Sequence, residues 1–253
     1  MRALVLAAAF DFGYTWPWTH GHLVVALAAA AGAALAWIRF KAARTGVLLT
    51  LVAVWAFAAF LVVQFGFRLN DPVALSAPRF LENGSGRVLD LGSGSGRATL
   101  AVLIERPRAR VVALDNWSAD YIEENSPRRL LANAEAAGVA DRVEVTTADM
   151  RSLPFEANTF DGIISTYAID HLNREGRTRA LAEAFRVLKP GGTFLVMVIN
   201  ADRWLFFLYG PLLQMHGFRD VQEAWHGFLT GAGFEVLEQD RRTGTAYFLV
   251  RKP

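Results

Sequence analysis

Residues Arg87–Arg97, RVLDLGSGSGR, constrain this chain more than any other stretch. Val88, Leu89 and Leu91 read as a short buried strand of the kind found at the centre of a parallel sheet. Gly92, Gly94 and Gly96 follow at every second position, and a helix-compatible run opens at Arg97. Glycines there let the backbone turn sharply and leave no Cβ in the way of a bound nucleotide. The pattern by itself also suits a plain strand-to-helix turn. It gains weight from Asp90 inside the strand and from Asp115 at the end of the next apolar run. An acidic group about 20 residues beyond such glycines is where nucleotide-binding α/β folds grip a ribose.

The run Asp90-Leu-Gly-Ser-Gly-Ser-Gly96 resembles the S-adenosylmethionine (SAM) motif of class I methyltransferases. In dehydrogenases the glycine pattern is G-x-G-x-x-G, and here the third glycine comes one residue too early. The resemblance covers roughly residues 80–253 and has further landmarks. Residues 154–161, PFEANTFD, resemble the family's turn into strand four. The LKPGG turn at 188–192 resembles its entry to strand five, and Gly233-Phe234-Glu235-Val236 its entry to strand six. The resemblance implies an α/β, doubly wound Rossmann-like methyltransferase sheet of seven strands. The last strand, Thr245–Lys252, is inserted antiparallel at the edge.

The alternation of apolar strand-like runs with helical patterns agrees with a parallel sheet. Strands are expected at Val88–Leu91, Arg110–Leu114, Val143–Thr147, Gly162–Ser165 and Thr193–Ile199. Helices are expected at about Arg97–Glu105, Arg128–Ala137, Arg174–Leu188 and Asp220–Gly231.

For the cofactor, the resemblance implies Asp90, Gly92, Ser93, Gly94, Gly96, Asp115, Asn116, Trp117, Asp149, Met150 and Thr166. Asp115 can accept hydrogen bonds from both ribose hydroxyls. Trp117 is placed to stack on or flank the adenine, and Asp149 to meet the adenine amino group. Asp115 and Asp149 also suit a helix cap and a solvated turn. The loop after strand four, Thr166-Tyr-Ala-Ile-Asp-His-Leu172, lies where open α/β sheets bind ligands. His171 is the candidate general base, Asp170 its neighbouring carboxylate, and Tyr167 a further substrate or methionine contact. A cap for the next helix is the alternative role of His171. Tyr121, in a long junction after Asp115, is a candidate for the substrate side.

The N-terminal part is of another kind. The chain is 53% hydrophobic and only 20% charged, too apolar for an ordinary soluble domain. Leu23–Ile38 and Gly46–Phe67 carry no charge. The second can cross about 30 Å of hydrocarbon; the first, at about 24 Å, needs flanking residues to extend it. Trp16, Trp18 and Trp37 sit where interfacial aromatics are expected. A buried soluble hairpin would show a polar face, and the second run shows none. The expected organisation is therefore a two-helix transmembrane hairpin in 1–67, an irregular linker in 68–82 and the methyltransferase domain in 83–253. A short lead-in helix is expected to begin at Arg79-Phe80-Leu81.

Arg39, Lys41 and Arg44 in the hairpin loop are nearly balanced by Arg2, Arg68 and Arg79 on the other side. The positive-inside rule is thus indecisive. The cofactor's compartment places the catalytic domain in the cytoplasm.

A net charge of +2 makes no case for nucleic acid. The chain has no cysteine, which excludes disulfides, thiolate metal sites and Cys nucleophiles; no metal is expected. Residues 203–218, RWLFFLYGPLLQMHGF, are nearly continuous in apolar side chains but too short to span a bilayer. They suit an interfacial element, the wall of a lipophilic pocket, or core packing. The combined expectation is a membrane-anchored SAM-dependent methyltransferase acting on a lipophilic small molecule or lipid. A non-catalytic SAM-binding scaffold and a nicotinamide oxidoreductase are the rival readings.

Overall fold

The first apolar run becomes a helix longer than its uncharged stretch. α1 spans Trp16–Ile38, 23 residues, with Pro17 in its first turn, where a missing N–H costs nothing. The start at Trp16 supplies the length that Leu23–Ile38 lacks. α2 spans Ala43–Leu61 and continues as a π-helical turn over Val62–Phe67, ending at Arg68 in the left-handed region. The seam of this hairpin is made of small residues. Ala26, Ala29, Ala33 and Ala36 are buried on α1, and Gly46, Ala56 and Ala59 on α2. A Cβ at Gly46 would lie 2.6 Å from the Trp37 ring. The large side chains face outward instead: Leu27, Leu48, Leu51 and Val54 are 62–63% exposed. Close backbone approach through small residues, with bulky apolar groups outside, is how helices pack in lipid. By length and composition both helices can cross a membrane.

This computed structural model describes residues 10–69, 71–75, 77–118, 122–200, 202–209, 221–242 and 244–253. Tyr121 and residues 210–218 of the apolar run lie outside them. The chain divides into two compact units. One is Phe12–Asp71 with Ala119–Glu124; the other holds Met1–Asp11, Pro72–Ser118 and Asn125–Pro253.

The second unit is an α/β sheet. Its elements are β1 Ser85–Leu91, α3 Arg97–Glu105, β2 Arg108–Asp115, α4 Pro127–Ala136, β3 Val143–Thr147, β4 Phe160–Thr166, α5 Arg174–Val187, β5 Leu188–Ile199, α6 Arg203–Tyr209, α7 Val221–Gly231, β6 Glu235–Arg242 and β7 Thr245–Arg251. The strand order is β3-β2-β1-β4-β5-β7-β6. The first five strands are parallel. β7 runs antiparallel as expected, but it lies one strand in from the edge and not at it, because β6 pairs along its outer side. Strands alternate their side chains between faces. Leu89, Leu91, Val112, Leu114, Ile163, Phe194 and Val196 line one core with Leu181 and Ala184 of α5 and Trp225 and Leu229 of α7. Their neighbours Val88, Val111 and Ala113 are equally buried, so both faces are covered, as a parallel sheet requires. Ser126 caps α4 and Asn173 caps α5, each by accepting a backbone N–H.

Two local expectations differ from the structure. Residues 72–82 are irregular but packed: Val73, Ala77, Phe80 and Leu81 are buried. Arg79-Phe80-Leu81 forms a turn, not a lead-in helix. The Arg106 guanidinium takes the Pro78 and Phe80 carbonyls at 3.0 and 2.9 Å, acceptors that a helix would have used. At 188–192 the chain passes straight from α5 into β5, with Gly191 at φ +76° and an irregularity in the pairing with β4.

Gly162 of β4 is where Leu81 and Phe80 press on the sheet, and a Cβ there would lie 2.2 Å from Leu81 Cδ1. Gly162→Ala is expected to destabilise the fold by about 1–3 kcal/mol. Gly227→Ala, in α7 with nothing within 4 Å of the added methyl, is expected to stabilise it by about 0.5–1 kcal/mol. Thermal unfolding of the full chain in detergent reads both.

Candidate active site

The turn after β1 folds back onto the end of β2. The Gly92 and Ser93 amides donate to the Leu114 carbonyl at 2.8 and 3.0 Å. The Gly94 amide donates to Asp115 Oδ2 at 2.8 Å. Gly92, Gly94 and Gly96 all have positive φ, at 77°, 49° and 96°, a region that L side chains avoid. At Gly92 the demand is also steric: a Cβ would lie 2.3 Å from Ala168 Cβ and 3.1 Å from Met150 Cε. This packing brings Met150 and the loop after β4 against the glycine turn. Gly96 opens α3 as its N-cap.

Asp115 joins the two strand ends. Its Oδ1 accepts from the Trp117 amide at 2.6 Å and from Asn125 Nδ2 at 3.5 Å. A carboxylate offers about four acceptor positions, so these three bonds leave one unfilled, and the long Asn125 contact can yield another. Trp117, at φ +60°, donates its indole N–H to Thr147 Oγ1 at 2.8 Å. Asn116 accepts from the Ser118 amide at 3.2 Å.

Asp90 is fully buried beneath the turn. Thr99 Oγ1 of α3 donates to its Oδ2 at 2.6 Å. Its Oδ1 and the Ser93 hydroxyl are buried without a hydrogen-bond partner. Burial pushes the Asp90 carboxyl up to about 7, against the Thr99 hydrogen bond, with the Asp115 charge adding to the rise.

The remaining candidates line the rim of the sheet, and their carboxylates have other partners. Asp149 is forked by Arg151, whose Nε lies 2.9 Å from both oxygens, and that guanidinium holds its carboxyl below the usual range. Thr166 ends β4. Tyr167 follows in the left-handed region at φ +52°, its hydroxyl 2.7 Å from Thr245 Oγ1 of β7. Asp170 is buried, and its Oδ2 accepts from the Ile199 amide at the end of β5 at 3.0 Å. It thus ties the post-β4 loop to the sheet. Its Oδ1 is buried without a hydrogen-bond partner. His171 is exposed on a 3₁₀ turn, Ile169–His171. Among the described residues no cluster suits a metal ion.

Sequence reasoning missed three supports. Asn133 of α4 is buried and bonds the Ser95 carbonyl at 2.9 Å, together with both backbone groups of Asp11. Ser165 Oγ takes the Leu91 carbonyl at 2.9 Å, and Thr99 holds Asp90. The one available signal was a polar side chain on an otherwise apolar face.

Residues 88–192 match the family model described as a methyltransferase domain. A ubiquinone/menaquinone biosynthesis C-methyltransferase of Cereibacter sphaeroides is 33% identical over 128 residues, 51% of this chain and 46% of that protein. The biotin biosynthesis bifunctional protein BioHC of Teredinibacter turnerae is 32% identical over 171 residues, 64% of this chain and 28% of that protein. The chain therefore spans about half or less of the length of these curated relatives. A methyltransferase solved with the Haloferax volcanii Trm112 activator superposes with a TM-score of 0.52 at 25% identity, covering 67% of this chain and 83% of that one. An O-methyltransferase family 2 protein of Planctomyces limnophilus, solved with apigenin, gives 0.56 at 21% identity, covering 82% and 70%; this likeness is one of fold.

The Asp90 shift has a sign that can be measured. Its folded value lies above the ordinary 3.8. Below pH of about 4 both states keep the proton; between about 4 and 7 only the folded state does, so this group's contribution to stability falls as pH rises. Asp90→Asn removes that loss. The melting temperature of Asp90→Asn minus that of the unaltered chain is expected to rise steadily from pH 4 to 7.

Proposed function

Because its α/β unit is a class I SAM-dependent methyltransferase domain, we propose that this chain transfers a methyl group from SAM to a lipophilic acceptor at a membrane. The residues fit that cofactor. Asp115 has acceptor capacity to spare for ribose hydroxyls, and the buried, partnerless Asp90 Oδ1 and Ser93 Oγ give the glycine turn a polar floor. SAM when bound supplies a methyl on a positively charged sulfur with a good leaving group. The chain's part is to align the acceptor, exclude water and hold charge.

The glycine turn and Asp115 orient the nucleoside end, with Asn116, Trp117, Asp149 and Met150 beside it. Engagement of the adenine by Asp149 means exchanging part of its bond to Arg151. Thr166, Tyr167 and Asp170 frame the acceptor side, Asp170 by fixing the loop that carries His171. For a hydroxyl or phenolic acceptor, His171 takes the proton; a neutral amine needs positioning alone.

One observation carries the lipophilic reading: α1 and α2 turn their bulky apolar side chains outward and their alanines inward. The quinone-pathway name of one relative agrees with it. The supply of SAM favours the α/β unit facing the cytoplasm, with the Arg39–Arg44 loop across the membrane. A non-catalytic SAM-binding scaffold is the second reading, supported by the Arg151 fork that occupies Asp149 and by the bond that turns Asp170 toward Ile199.

The test uses carbonate-washed membranes carrying the full chain, incubated with methyl-labelled SAM and then extracted into organic solvent. Label is expected in the lipid extract, and His171→Gln is expected to slow its appearance about a hundredfold without changing SAM affinity. SAM binding with no label in any extract would favour the scaffold. Loss of the chain in the carbonate wash would refute the anchor.

A further inference from the structure

At the end of the sheet remote from the glycine turn, the first residues of β1, β2 and β3 line a cavity of about 350 Å³. Its walls include Arg87, Arg108, Arg110, Arg142 and a single carboxylate, Glu144. Arg87 of β1 stands about 17 Å from Gly92 of the glycine turn, at about 3.3 Å per residue.

Arg87, Arg108 and Arg110 share one face of the sheet. Arg108 and Arg110 are two apart on β2, and the parallel register sets Arg87 beside Arg110 and Glu144 beside Val112. That is the face whose later residues, Leu89 and Val112, belong to the hydrophobic core. Like charges set directly across neighbouring strands weaken a sheet, so the fold gains nothing from this pairing. Glu144 relieves only Arg87, at 3.2 Å. Arg142 is held rigidly, donating to the carbonyls of Leu103, Ala109 and Arg106 at 3.0, 3.3 and 3.5 Å. Arg108 spends one bond on the Asn83 carbonyl, at 2.6 Å, and Arg110 one on the Asp141 carbonyl, at 3.1 Å. Each guanidinium has five N–H donors, so most of those on Arg108 and Arg110 stay available.

We propose that this cavity, formed by Arg87, Arg108, Arg110 and Arg142 at the amino-terminal edge of the sheet, binds a phosphate-bearing ligand. Guanidinium forks match phosphate oxygens in pairs, which a scattered surface charge does not. The cavity has the size of a small-molecule site, enough for a phosphate or diphosphate with a short substituent. The same chemistry comes from a soluble phosphorylated compound or from an anionic lipid headgroup. The proposal is independent of methyl transfer.

The test is a calorimetric titration of the full chain with inorganic pyrophosphate, in nonionic detergent at low salt. Saturable binding of one pyrophosphate per chain is expected. Arg110→Gln and Arg108→Gln should each weaken it about tenfold, with Arg110→Lys in between, while SAM affinity stays constant and reports an intact fold. No saturable binding, or equal binding by the glutamine variants, would overturn the proposal. Repeating the titration in phosphatidylcholine nanodiscs with and without phosphatidylglycerol separates the sources. Competition by phosphatidylglycerol identifies a headgroup site, and unchanged binding identifies a soluble ligand.

Discussion

The hydrogen bond from the Gly94 amide to the Asp115 carboxylate is the contact on which the geometry of the candidate site rests. It closes the turn after β1 against the end of β2, and the same carboxylate takes the Trp117 amide. One side chain thereby fixes two strand ends. The register Leu91↔Leu114 brings them level, so the glycines open where β2 stops. Positive φ at three alternate glycines then aims the chain into α3. A side chain in place of Gly92 would meet Ala168; without Asp115 the Gly94 amide would lose its partner, leaving the turn only the Leu114 carbonyl on β2.

The two units use apolar residues in opposite senses. In the α/β unit Leu, Ile and Val are mostly inside and most charged side chains outside, the carboxylates of the candidate site excepted, so water drives burial. In the hairpin Ala and Gly are inside, with Leu, Val, Phe and Trp outside. Large exposed apolar surfaces favour association in water, and small residues at a helix seam are the pattern of packing in lipid. This contrast between the two units is the ground on which the proposed acceptor is lipophilic.

Most of the architecture was legible because its signals are local. The strand cores around Val88, Val111 and Ile163 are short apolar runs, and Leu23–Ile38 and Gly46–Phe67 carry no charge. What was not legible depends on contacts between distant segments. Arg106 takes the carbonyls of Pro78 and Phe80, where a turn stands in place of the expected helix. Asn133, Ser165 and Thr99 are single polar residues whose partners lie on other elements. The orientation of Asp170 toward Ile199 rather than its sequence neighbour follows from packing against β5, which no periodicity reports. The grouping of arginines at the sheet's far edge likewise depends on the register that sets Arg87 beside Arg110.

The central claim is that the glycine turn and Asp115 cradle SAM. Calorimetric titration of the full chain in detergent with SAM, and separately with NAD, tests it most directly. The account predicts saturable one-to-one binding of SAM that Gly94→Val abolishes, and no binding of NAD. Tight NAD binding with none of SAM, or undiminished SAM affinity in Gly94→Val, would contradict it.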